Sequence, residues 1–250
     1  MTEPVKPGVA SPAESEPHVL QTPRTTVRRL APRGAYDRET IYAILDEALV
    51  CHVGFVDQRQ PFVIPTIHAR VDDRLFFHGS NGSRLLERLI SGETACITAT
   101  LVDGLVLARS GFHHSMNYRS AVVLGRGEEI TGREAKLSAL EAISEHVIPG
   151  RWSAVRGVHE TELNATRVAA VRIEEGSAKV RSGPPKDDEE DYALSIWAGV
   201  IPLALAAGAP IPDPRLPGGV PIPAHVREYC RSCGLAGRID QDGGGGARSG

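Results

Sequence analysis

Leu75-Phe76-Phe77-His78-Gly79-Ser80-Asn81-Gly82-Ser83-Arg84-Leu85-Leu86-Glu87-Arg88-Leu89-Ile90 is the stretch on which the fold turns. Leu75 to His78 is apolar and aromatic and reads as the end of a strand. Gly79 to Ser83 is a polar break, and from Arg84 onward Leu85, Leu86, Leu89 and Ile90 fall at one-face helical spacing. Strand, polar loop and helix start are the parts from which a phosphate site is made: free backbone N–H groups, the hydroxyls of Ser80 and Ser83, the Asn81 amide and the Arg84 guanidinium. The same residues equally describe an ordinary capped helix after a β-turn. No Gly-x-x-x-x-Gly-Lys or Gly-x-Gly-x-x-Gly is present, so the loop belongs to neither of the common nucleotide-binding motifs.

Upstream, Asp37 can cap a helix with Ile41, Ile44, Leu45, Ala48 and Leu49 on one face. Val50 to Val56 and Phe62 to Val71 then read as a hairpin joined by Asp57-Gln58-Arg59-Gln60, and Val71-Asp72-Asp73-Arg74 turns the chain into the quoted strand. Alternation along Phe62 to Val71 places Ile64, Thr66, His68 and Arg70 on one face and Val63, Pro65, Ile67 and Ala69 on the other. Pro65 has no N–H to give, which predicts an edge or bulge there. Downstream, Thr94 to Val102, Leu105 to Ser110 and Tyr118 to Arg126 read as strands, Arg133 to Val147 as an amphipathic helix, and Arg167 to Ile173 and Ala178 to Arg181 as closing strands. Helices do not alternate regularly with strands, so the chain is expected to be mainly β, an antiparallel barrel with peripheral helices.

A net charge of −3 from 28 basic and 31 acidic residues carries no footprint for nucleic acid or an anionic membrane. The expected organisation is a disordered polar leader over residues 1–23, one domain over 24–203, and a Pro/Gly-rich, largely disordered tail over 204–250. The leader has no apolar run of a signal peptide, and Ile196 to Ala209 is short and broken by Pro202, so a cytoplasmic protein with no membrane span is expected. The run Asp187, Asp188, Glu189, Glu190, Asp191 reads as a solvated loop. No metal is expected: His113 and His114 point to opposite faces if they lie in a strand, and His225 with Cys230 and Cys233 makes only one C-x-x-C. There is no nucleophile elbow and no helical His-Glu-x-x-His, so any chemistry belongs to a bound cofactor.

Taken in order, Ile64-Pro65-Thr66-Ile67-His68, Leu75 to Ser80 with Ser83-Arg84-Leu85, Phe112 to Ser120, Arg181 to Pro185 and Trp197-Ala198-Gly199 resemble the pyridoxamine 5′-phosphate oxidase-like family of FMN-binding split β-barrels, in particular its nitroimidazole-resistance-like branch. The similarity runs from about Thr25 to Leu203. It implies a homodimer with FMN at the interface. Pro65, Thr66, Ile67 and His68 would face the flavin ring, and Ser80, Ser83 and Arg84, flanked by His78 and Leu85, would hold the phosphate. Asn117, Tyr118, Arg119 and Ser120 would reach the cofactor from a later strand, and Trp197 would either cover the ring or pack the tail. The resemblance implies an oxidoreductase acting on a small aromatic or nitro-bearing substrate, the alternative being a non-catalytic flavin- or haem-binding carrier or sensor. His68 and His113 are the acid–base candidates, with a structural role open for both. The paired Arg and His that grip pyridoxal phosphate in the true oxidases are not recognisable.

Overall fold

The computed structural model describes residues 19–229. The leader up to residue 18, on which the expected location rests, and the Cys230/Cys233 pair lie outside it. The elements are β1 (Gly34–Ala35), α1 (Arg38–Glu47), β2 (Val50–Asp57), β3 (Gln60–Ile67), β4 (Ala69–Val71), β5 (Arg74–Ser80), α2 (Arg84–Ile90) and β6 (Thr94–Leu107). There follow β7 (Ser115–Glu129), α3 (Arg133–Val147), α4 (Glu160–Ala165), β8 (Thr166–Arg172), β9 (Glu175–Arg181), β10 (Gly199–Pro202) and α5 (Ala224–Arg227).

The sheet is antiparallel throughout and runs β3-β2-β6-β7-β8-β5-β4, with β9 paired to β7 and β1 and β10 paired to β6. The path does not close: β3 and β4 end it. This is the split barrel with peripheral helices that the sequence predicts. The split lies in β7, whose residues Tyr118–Leu124 pair with β9 while Gly127–Glu129 pair with β8. Gly125 sits at that switch because nothing larger fits: a Cβ there would lie 1.8 Å from the Arg172 carbonyl oxygen, and one at Gly127 would lie 2.4 Å from that of Leu89. The missing side chain lets the backbones cross in contact.

The core lies inside the sheet, filled by Ile41, Ile44 and Leu45 of α1, alternate residues Cys51, Val53 and Phe55 of β2, Leu75 and Phe77 of β5, and Leu85, Leu86 and Leu89 of α2. Burial pushes the Cys51 thiol up to about 12, which makes it an inert apolar side chain. Helix α1 begins as its sequence predicts, with Thr40 N–H donating to Asp37 Oδ1 at 2.7 Å. Leu20, inside the expected leader, is also buried, its N–H bonded to the Tyr36 carbonyl.

Two strand readings need correction. Phe62 to Val71 is not one strand but two, because the chain turns at His68, where His68 and Ala69 are both buried and the two-residue alternation is interrupted. His68 thereby points into the protein instead of sharing a surface with Thr66. Conversely, Thr94 to Leu107 is a single long strand, with a bulge at Asp103 where the register to β7 shifts between Val102 and Gly104. Nor is the acidic run uniformly solvated: the Asp187 side chain is fully buried, accepting from Arg109 N–H at 2.8 Å and from Arg109 Nη1 at 3.0 Å.

Candidate flavin site and an adjoining histidine cavity

The loop between β5 and α2 is ordered by its own hydrogen bonds. Ser83 N–H donates to Ser80 O at 3.0 Å, Leu86 N–H to Ser83 Oγ at 3.4 Å, and Asn81 Nδ2 to Asn164 O at 3.0 Å. Those contacts satisfy the capped-helix reading and leave Ser80 Oγ and Arg84 for a ligand. The Arg84 guanidinium lies 3.9 Å from the Phe62 ring centroid, a cation–π contact that fixes its direction across β3. No carboxylate among the described residues pairs with it. Leu85, next along, is buried in the core and sets the helix rotation. A positioned, charge-uncompensated guanidinium beside a hydroxyl-bearing loop fits a phosphate.

Strand β3 forms the sheet edge predicted from Pro65. Pro65 and Ile67 are exposed on it and Thr66 is half-buried, its hydroxyl donating to Ile67 O at 3.2 Å. His68 faces the other way, with Nε2 2.9 Å from the Leu45 carbonyl and its ring 4.9 Å from that of His146. On β7, Asn117 is buried, accepts from Arg181 and donates to Gly183 O at 3.2 Å, holding the turn after β9. Arg119 is clamped between Glu47 and Asp103, whose hydrogen bonds raise its already high pKa further. Tyr118 is half-buried, and Ser120 Oγ donates to Lys179 O at 3.3 Å. The polar groups of Asn117, Arg119 and Ser120 therefore all have partners within the chain. His113 lies in the turn between β6 and β7 with Nε2 3.2 Å from Asp188 Oδ2, an environment different from that of His68. Trp197 is 68% exposed, with its ring folded over Gly199, where a Cβ would lie 3.0 Å from the indole.

His78 has a role that its place beside the loop does not suggest. It lines a cavity of about 380 Å³ whose other walls are Ile67 at the end of β3, Leu140, Ile143, Ser144 and Val147 on α3, and Ile148, Trp152 and Val158 beyond it. His78 Nδ1 is buried with no hydrogen-bond partner among the described residues. Burial lowers the His78 pKa, so the imidazole is held neutral. A neutral imidazole on the wall of a largely apolar chamber suits coordination of a metal carried on a hydrophobic cofactor. Among the described residues no three His, Cys, Asp or Glu side chains converge on a bare ion, and no helix is long and apolar enough to cross a membrane. Sequence reasoning placed His78 with the phosphate because β5 leads there. The cavity needs α3, and no local pattern links the two.

The profile of the pyridoxamine 5′-phosphate oxidase family matches residues 37–180, and the chain belongs to that family. Among solved structures, the flavocytochrome Anf3 from Azotobacter vinelandii is 44% identical with a TM-score of 0.78, covering 84% of this chain and 97% of its own. A FAD- and haem-binding protein from Mycobacterium smegmatis is 38% identical with a TM-score of 0.76, covering 79% of this chain and 97% of its own. A protein from Bacteroides thetaiotaomicron named for 5-nitroimidazole antibiotic resistance is 26% identical with a TM-score of 0.51, covering 59% of this chain and 86% of its own. No curated protein matches the chain.

Proposed function

We propose that this protein is an oxidoreductase that binds a flavin nucleotide at the β3 edge and the Ser80–Arg84 loop and a haem in the His78 cavity, and passes electrons between them. The observation that carries the haem half is the neutral imidazole of His78 on the wall of a largely apolar cavity of about 380 Å³. The names of the two nearly full-length neighbours support both halves. FAD is preferred to the FMN expected from the resemblance, because the Mycobacterium smegmatis neighbour binds FAD by name.

A flavin supplies two-electron and an iron porphyrin one-electron chemistry when bound. The residues supply the setting. His78 offers a neutral nitrogen, while Leu140, Ile143, Val147 and Trp152 line the same space with apolar surface. Arg84, fixed on Phe62, holds the flavin phosphate with Ser80, and the backbone from Pro65 to Ile67 presents an open strand edge to the ring. Apolar residues on the outward face of the sheet, Val63 at 65% exposure with Val50, Val56, Ile67 and Val122, support a homodimer joined through this face.

The test is the purified protein itself. The two-banded spectrum of oxidised flavin together with a Soret band, at twice the chain mass by light scattering, is the expected result. Acid release followed by chromatography distinguishes FAD from FMN. Anaerobic reduction should bleach the flavin and then shift the Soret band; colourless protein that takes up neither cofactor overturns the proposal. Oxidation of the reduced protein by a 5-nitroimidazole, with the haem bands unaffected, would instead favour the nitroreductase reading.

A narrower expectation concerns Arg84. Arg84→Ala should weaken FAD and FMN by at least about tenfold, the worth of one charge-assisted hydrogen bond, while leaving riboflavin nearly unchanged. Equal losses for all three ligands, measured by fluorescence quenching, would place the phosphate elsewhere.

A further inference from the structure

After β10 the chain runs from residue 203 to 223 without helix or strand before forming α5. Irregular stretches of this length are uncommon and are either functional segments or linkers. This one is tied at both ends. Leu203 N–H donates to Asp103 O at 3.0 Å, and just beyond α5 the Tyr229 hydroxyl donates to the Val147 carbonyl at 2.8 Å. Between those ties the arm stands over the end of α3 without filling the space: Ala207, Gly208 and Ala209 present little bulk, and a cavity of about 580 Å³ remains beneath them. Its floor is Val147 and Ile148, the same residues that close one side of the His78 cavity.

The mainly apolar lining of this chamber favours a ligand with an apolar body, which releases water from that surface on binding. Among the described residues, Arg227 is the one formally charged side chain on its wall. Its Nη1 donates to Ile222 O at 2.6 Å, which orients the guanidinium, and no carboxylate among the described residues pairs with it. An apolar body bearing an anionic group is the chemistry that matches both features. Haem, a hydrophobic macrocycle edged with propionates, has that form.

Resting on the haem reading above, we infer that Arg227 is a propionate anchor and that the C-terminal arm is the outer wall of the haem chamber. The guanidinium meets a carboxylate at the chamber wall, and the small residues of the arm leave room for the macrocycle edge.

The experiment is a Soret titration of the full-length apoprotein with haem and, in parallel, with haem dimethyl ester, whose propionates carry no charge. Arg227→Gln should weaken haem by about tenfold or more and leave the ester within about twofold of wild type, and Arg227→Lys should recover part of the loss, since only the charged hydrogen bond changes. Arg227→Gln that binds haem as wild type does overturns the anchor, as does an equal loss of haem and ester, which would mark a packing role. Wild-type protein that takes up no haem overturns the haem reading itself, so the two failures are distinct. Flavin content, read on every variant, reports that the barrel is folded.

Discussion

His78→Ala is expected to yield protein that keeps its flavin and loses its Soret band. The reason lies in how few polar groups the cavity offers: among the described residues, His78 and Ser144 are the only polar side chains on a wall otherwise made of aliphatic residues and Trp152. An iron porphyrin held there without His78 keeps its hydrophobic contacts but loses the imidazole assigned to the metal. The apoprotein should scarcely notice the substitution. His78 Nδ1 is already unsatisfied, so removing it relieves a desolvation cost of about 1–3 kcal/mol while the lost ring contacts act in the opposite sense. Apoprotein unfolding midpoints should therefore agree to within a few degrees, and added imidazole should restore the Soret band by entering the space the side chain left. A variant with wild-type haem content would show that another group holds the iron.

Gly125→Ala is expected to have the largest effect on folding of any glycine-to-alanine change among the described residues. Its Cβ would sit 1.8 Å from the Arg172 carbonyl oxygen, and that atom belongs to backbone, which cannot rotate aside. Relief requires β7 to separate from the chain leaving β8 at the point where the two halves of the barrel meet. Overpacking of this kind costs about 3 kcal/mol or more, a large share of the roughly 5–15 kcal/mol that holds a domain folded. Thermal denaturation should show a fall of about 6–12 °C or more, or no soluble protein at all. Gly111→Ala is the control, because a Cβ there meets nothing within 4 Å. Its midpoint should stay within about 2 °C of wild type. Equal stability of the two variants would mean that the crossing is looser than the structure shows.

How much of this was legible in advance depends on how local the signal is. Helix α3 runs from Arg133 to Val147, the bounds its apolar spacing predicts, and α1 starts on the Asp37 cap, because both are written in residues a few positions apart. The loop from Ser80 to Ser83 and the start of α2 were readable for the same reason. The break at His68 was not, since Thr66, His68 and Arg70 keep the alternation of a continuous strand and only the tertiary fold turns His68 inward. The short β10 and α5 carry too few residues for any periodicity. At the candidate site, Arg119 reads locally as a spare cation, but Glu47 and Asp103 come to it from α1 and from the bulge of β6. The His78 cavity was the least legible feature, because β5 and α3 each look ordinary alone and the chamber exists only where they meet.

The pair His68 and His146 has a consequence for how the two proposed sites communicate. Helix α1 has no basic residue in its last turn, and its end is held instead by these two imidazoles, His68 on the Leu45 carbonyl and His146 on the Ala48 carbonyl, each at 2.9 Å. His68 directly follows Ile67, the last residue of the strand edge assigned to the flavin, and His146 belongs to α3, the wall of the His78 cavity. One helix terminus thus touches elements of both proposed pockets, and any displacement of α3 on loading one would bear on the strand that serves the other. Thermodynamic reciprocity then requires that whatever factor haem imposes on flavin affinity, flavin imposes on haem.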